Sequence, residues 1–311
     1  MTSPINNDPI RNKPMDLQNY LKDKRALVEE AMADLMLDSD NLPNELARHI
    51  EAMRYSLFAG GKRVRPILCV AACESVGGTA SKVLPAAVAL ECIHTYSLIH
   101  DDLPAMDDDN LRRGKPTNHM LYGEAGAILA GDGLLTLAFE LLSELAADIE
   151  PIDRLRIINI IARAAGPLGM VGGQAMDIAC EGKEIGIDTL RQIHSRKTGA
   201  LITAAVQSGA VIGGASPEKF SALSTYGEKI GLAFQIVDDL LNVEGSTEQL
   251  GKAAGSDIKL SKATYPAIFG VERTRELAEQ TIADALKALE NFDEHSDPLR
   301  RLATYIVSRN N

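Results

Sequence analysis

A chain of 311 residues, 45% of them apolar, is long enough for one large core and too apolar for disorder. Aromatics make up only 4% with no Trp, while Ala and Leu abound, which favours helix over sheet. A net charge of −11 argues against nucleic acid as a partner, so the basic residues must act locally.

Residues 1–16 carry Pro4, Pro9 and Pro14 among Asn, Asp and Lys, and read as a flexible N-terminal tail. Beyond them apolar residues recur at three- and four-residue steps. The pattern predicts helices over 46–58, 84–100, 133–146, 151–166, 167–180, 187–212, 217–243, 263–289 and 297–309. Those at 84–100 and 133–146 are apolar nearly all round. Gly- and Ser-containing breaks separate the helices, and nothing alternates as a strand. Only the 244–261 connection is long enough to suggest a function of its own. No linker divides the chain, so one all-helical domain over 17–311 is expected. No uninterrupted apolar run reaches transmembrane length and no signal peptide opens the chain, which predicts a cytoplasmic protein without an integral membrane segment. Cys69, Cys73, Cys92 and Cys180 lack CxxC spacing and sit in helix-like apolar runs, as reduced core thiols do.

The stretch "IHDDLPAMDDDNLRRGKPTNH" (99–119) concentrates aspartates beside two arginines. Pro104 disfavours helical geometry at Leu103, so the helix should end near Asp102 and Asp107 should return from a short loop to face Asp101 and Asp102. Oxygen-only ligands of this kind suit Mg²⁺ bridging to a substrate phosphate; a solvated acidic loop is the plain alternative. A second pair, Asp238 and Asp239 in "AFQIVDDLLNVEG", stands inside an apolar helix, where unpaired carboxylates are costly. Asn242 lies one turn beyond Asp238.

Cations occur in separate runs: Lys62, Arg63 and Arg65 after a Gly pair, Arg112 and Arg113, Arg196 and Lys197 beside Thr198, and Lys252, Lys259 and Lys262. Arg forks and mobile Lys groups both suit phosphate oxygens. No Walker-type phosphate loop and no zinc spacing is present. His94, two turns before Asp101, fits a core histidine or a ligand-binding one equally. Gln174 and Asp177 in "GPLGMVGGQAMDI" could line a cavity.

Together "GGKRVRP", "CIHTYSLIHDDLPAMDDDNLRRGKPTNH", "GGQAMDI", "KTGAL", "FQIVDDLLNV" and "LGKAAGSDIKLSKATYP" resemble the trans-isoprenyl diphosphate synthases, specifically the bacterial farnesyl and plastid-type geranylgeranyl enzymes, from about residue 42 onward. The resemblance implies an all-α, single-domain bundle of the isoprenoid synthase type around a deep central cavity, working as a homodimer. It implies roughly two or three Mg²⁺ ions, replaceable by Mn²⁺, held through Asp101, Asp107 and Asp238, with Asp102 and Asp239 close by. It also implies an allylic diphosphate site of Arg112, Lys197 and Lys252, with Thr198 and Gln235 beside the developing cation. Isopentenyl diphosphate would sit in a metal-free site of Lys62, Arg65, His94 and Arg113. Asn242 departs from the family's usual last aspartate. The implied activity is a prenyltransferase: Mg²⁺-dependent head-to-tail condensation of isopentenyl diphosphate with dimethylallyl or geranyl diphosphate. A bulky Tyr96 beside a small Ser97, about 7.5 Å deeper along the helix than Asp101, would act as a floor and stop the product at farnesyl diphosphate. Geranylgeranyl diphosphate synthesis is the alternative. A class I terpene cyclase and a non-catalytic partner subunit are the rival readings.

Overall fold

The computed structural model describes residues 15–146, 148–244 and 263–308. Helix α1 (Leu17–Leu35) is capped by Asp16, whose carboxylate accepts from the Gln18 and Asn19 amides at 3.0 and 3.3 Å. The predicted tail thus ends in a helix cap; residues 1–14 lie outside the described residues. Then come α2 (Asn44–Leu57), α3 (Val64–Glu74) and α4 (Ala80–Asp101). Helix α5 (Asn118–Ser143) starts well before the predicted 133, because its first turns contain Gly123 at φ 76°, a kink that breaks the apolar period. The chain continues with α6 (Pro151–Ala165), α7 (Met170–Cys180), α8 (Ile187–His194) and α9 (Ala200–Ile212). Predicted as one helix, 187–212 is interrupted by a π-helical turn, Ser195–Gly199. After α10 (Pro217–Glu244), the predicted 263–289 helix is divided at Gly270, φ 77°, into α11 (Tyr265–Phe269) and α12 (Val271–Ala288); α13 (Asp297–Ser308) closes the bundle.

Among the described residues one departure from all-helical structure was not visible in the sequence. Strands β1 (Leu111–Arg112) and β2 (Lys115–Pro116) pair antiparallel, joined by Arg113 and Gly114 at φ 54° and 74°. Two residues with positive φ in sequence make the tight turn that a right-twisted hairpin favours. Strands this short carry no alternation to read.

Helix α4 runs through the middle, against α3, α5 and α9, while α10 packs on α9 and α12. Val88, Ala89, Leu90, Cys92 and Ile93 are at most 1% exposed, and each large side chain among them contributes about 2 kcal/mol of apolar burial. Cys69, Cys73 and Cys92 are buried free thiols, and Cys180 is half-buried and also free. On length and composition Ala80–Asp101, Asn118–Ser143 and Pro151–Cys180 would suffice to cross a membrane, contrary to the sequence expectation. The first is mostly buried inside the bundle and carries Glu91, His94 and Asp101, so it reads as a core helix.

Candidate active site

The acidic end of α4 forms as its sequence dictates. The helix stops at Asp101, and the Asp107 amide donates back to the Asp101 carbonyl at 2.8 Å, returning Asp107 to that helix end. Burial pushes the Asp101 carboxyl up to about 6; Lys197 and Arg112 oppose the rise, and Asp107 and Asp102 add to it. Asp102 is 3% exposed and accepts from Arg112 Nε through both oxygens, at 2.7 and 2.8 Å. Arg112 stands on β1, so this fork fixes the hairpin against the end of α4.

Opposite Asp101 is the π turn with Lys197 and Thr198. Such turns concentrate at functional sites because they displace a side chain from the helical row. Lys197 Nζ donates to Asp177 Oδ2 at 2.7 Å. Burial works against its charge, but Asp177, Asp101 and Asp107 outweigh burial and hold the ammonium above the ordinary lysine value. Lys197 therefore lies in the field of both α7 and the acidic loop. The motif "GGQAMDI" has a steric reason here: a Cβ on Gly173 would come within 2.2 Å of the Lys197 backbone nitrogen.

Lys197 lines a cavity of about 320 Å³ with Asp177, Gln235, Asp238, Asp239 and Asn242. The two aspartates of the second pair differ. Asp239 is 7% exposed and accepts from the Tyr265 amide at 2.8 Å, tying α10 to α11. Asp238 is half-buried, and Arg65 across the bundle feels its charge. Lys252 lies outside the described residues.

The cationic residues form a second compartment. Lys62, Arg65, His94 and Arg113 line one cavity of about 460 Å³, together with Arg63 of the same basic run and with Arg25 and Glu91, which the sequence did not single out. The Gly pair bends the chain with φ 94° and 136° at Gly60 and Gly61, and Arg113 donates to the Gly60 carbonyl. Burial, then Arg65, Arg113, Arg112 and Arg63, push His94 well below the ordinary histidine value, so it offers a neutral imidazole. Tyr96 is 6% exposed and meets His100 edge-on at 5.7 Å, with Asp101 close enough to help burial raise its phenol. Ser97 Oγ donates to the His94 carbonyl at 2.8 Å.

Among the described residues no three acidic, His or Cys groups gather closely enough to cage a metal by themselves. A carboxylate raised to about 6 by burial and like charges is nevertheless one that a cation would relieve. Asp101 and Asp107 at the end of α4 are oxygen donors of the type that suits Mg²⁺ completing its shell from water and phosphate, while Asp238 lines the separate cavity with Lys197.

A family model described as polyprenyl synthetase matches residues 47–302. The heterodimeric geranylgeranyl pyrophosphate synthase large subunit 1, chloroplastic, of Arabidopsis thaliana is 48% identical over 302 residues, 95% of this chain and 80% of that protein. The geranylgeranyl diphosphate synthase of Cyanophora paradoxa is 46% identical over 298 residues, 95% of this chain and 97% of that one. The crystal structure of an FPP/GFPP synthase from Zymomonas mobilis superposes with a TM-score of 0.83 at 38% identity, covering 94% of this chain and 98% of that one.

Proposed function

The chain belongs to the polyprenyl synthetase family and is a prenyltransferase, and from that premise we propose that it condenses isopentenyl diphosphate with an allylic diphosphate in the presence of Mg²⁺. The observation that carries this reading is the division of the charged interior into two compartments. Lys62, Arg65, His94 and Arg113 share one cavity, and Lys197, Gln235 and Asp238 share the other. One diphosphate would bind directly to cations, the other through metal held by Asp101, Asp107 and Asp238. A terpene cyclase has no use for the first compartment.

Mg²⁺, when bound, supplies Lewis acidity at the allylic diphosphate. Lys197 and Arg112 bind the same anion, and the leaving diphosphate carries its charge toward them. Gln235 and Thr198 flank the carbon that becomes cationic, and the apolar helices exclude water from it. Lys62, Arg65 and Arg113 hold isopentenyl diphosphate so that its double bond is aimed at that carbon, with neutral His94 available as a donor to its diphosphate. As the new C–C bond forms, the proton lost from isopentenyl diphosphate passes to the departed diphosphate. No side-chain nucleophile is required. Asp102 and Asp239 act by anchoring Arg112 and Tyr265.

For product length, the names of the relatives favour geranylgeranyl diphosphate over the C15 product expected from the sequence. Tyr96 keeps farnesyl diphosphate as a second reading, because α4 runs unbroken to Asp101 and the phenol lies within range of that carboxylate's charge. Chromatography of the products decides: a C20 product supports the first, and a C15 product the second. No chain elongation with Mg²⁺ and both substrates would defeat the prenyl-synthase reading altogether. A homodimer is proposed from the exposed apolar side chains Met120, Leu121, Ile128 and Leu129 on α5 and Ile152 and Leu155 on α6. A cytoplasmic location is proposed from the free buried thiols.

A further inference from the structure

Beside the cationic cavity stands a buried carboxylate that the scheme above leaves unused. Glu91 on α4 is 2% exposed, and its Oε1 accepts from Arg63 Nη1 at 2.6 Å. Arg63 is 3% exposed, donates through Nη2 to the Leu57 carbonyl at 2.9 Å, and has Glu29 of α1 at 3.5 Å from its Nε. Its backbone is left-handed, φ 52°, directly after Lys62 and two residues before Arg65. A non-glycine residue keeps that conformation only where its surroundings fix it. Lys62, Arg63, Arg65 and Glu91 all line the cavity, with Arg25 and Arg113. Burial lowers both Arg65 and Arg113, and Glu91 is the first group to counter it for each.

We propose that Glu91 is a positioning residue for isopentenyl diphosphate: its carboxylate holds Arg63, and through Arg63 the left-handed turn that presents Lys62 and Arg65 to the diphosphate. This rests on the reading of the cavity as the isopentenyl diphosphate site. Removing the charge has two opposed consequences. The cavity becomes more positive, which alone would tighten an anion. Arg63, however, loses a contact partner while shut away from water, and the turn loses its anchor. The second effect dominates, because the ion pair is at contact distance and nearly dry.

Steady-state kinetics on the full chain, varying each substrate in turn, test the proposal. Glu91→Gln keeps the shape and removes the charge; the KM for isopentenyl diphosphate should rise about tenfold, while kcat and the allylic KM stay within about threefold. A merely structural role would lower the melting temperature without splitting the two KM values. Arg63→Gln should raise the same KM, and the double variant should be no worse than the more impaired single, as for residues acting as one unit. An unchanged or lowered KM in folded Glu91→Gln, or additive effects in the double variant, overturns the proposal. Should Glu91→Gln fail to fold, Glu91→Asp, which withdraws the charge by one methylene, should raise the KM about threefold; no change there overturns it equally. Lys62→Ala separates the two levels: if it leaves the isopentenyl diphosphate KM unchanged, the site reading fails whatever Glu91 does.

Discussion

Asp101 carries a conflict between stability and function that Asp101→Asn should expose. Burial lifts its carboxyl from the ordinary 3.8 to about 6. At about 1.4 kcal/mol per pH unit, keeping it ionised costs the native state about 3 kcal/mol. The sign follows from linkage: the raised value favours the protonated form, so the associated stability is full below pH 3.8 and is lost as the pH rises through about 6. Asparagine keeps the shape without the charge. Near neutral pH the metal-free variant should therefore gain about 1–3 kcal/mol, the lower figure allowing for imperfect hydrogen bonding by the amide. For a chain of this size that is a rise in melting temperature of roughly 2–6 °C. Turnover should fall by about two orders of magnitude or more, because the variant lacks a carboxylate of the proposed Mg²⁺ site. Thermal scans from acid to neutral pH, without metal, read the first effect, and product formation reads the second. Only the wild type should lose stability between pH 3.8 and about 6 through this group. A destabilised metal-free variant, or one that keeps near-wild-type turnover, would refute the reasoning.

The two compartments should respond separately to substitution. Lys62→Ala or Arg65→Ala should raise the KM for isopentenyl diphosphate by about tenfold or more and the allylic KM much less, with Lys252→Ala doing the reverse; equal effects on both substrates would argue for one shared pocket. Tyr96→Ala should lengthen the product if the ring is a floor, and chromatography that finds an unchanged product would make it an ordinary core tyrosine. Leu129→Lys, on the exposed apolar face of α5, should shift sedimentation from dimer toward monomer, and a monomeric wild type would contradict the homodimer.

Much of the site was legible because its chemistry is costly. Carboxylates inside an apolar helix, as at Asp238 and Asp239, need a reason, and Pro104 marks where α4 must stop. By spacing alone the cationic cavity was legible only as scattered runs, since Lys62 and Arg113 are joined by the fold. It was the family resemblance that grouped Lys62, Arg65, His94 and Arg113, and these four do line one cavity. Glu91 was missed: one acidic residue inside "LECIHTYS" looks like helix decoration until Arg63 is found against it at 2.6 Å. The π turn at Ser195–Gly199 was missed because one extra residue in a turn barely disturbs the apolar period. The steric role of Gly173 depends on a helix crossing that no local pattern records. The division of labour within each acidic pair also needed the fold, because sequence alone cannot tell that Asp102 meets Arg112 and Asp239 meets the Tyr265 amide.

The central claim is that one diphosphate binds directly to cations and the other through metal. Calorimetric titration of the two ligands, each with and without Mg²⁺, tests it most directly, using isopentenyl diphosphate and the unreactive geranyl thiodiphosphate. Isopentenyl diphosphate should bind with similar affinity in both conditions, through Lys62, Arg65 and Arg113, whereas geranyl thiodiphosphate should bind tightly only when Mg²⁺ is present. An equal dependence of the two ligands on Mg²⁺, or no dependence for either, would contradict the account.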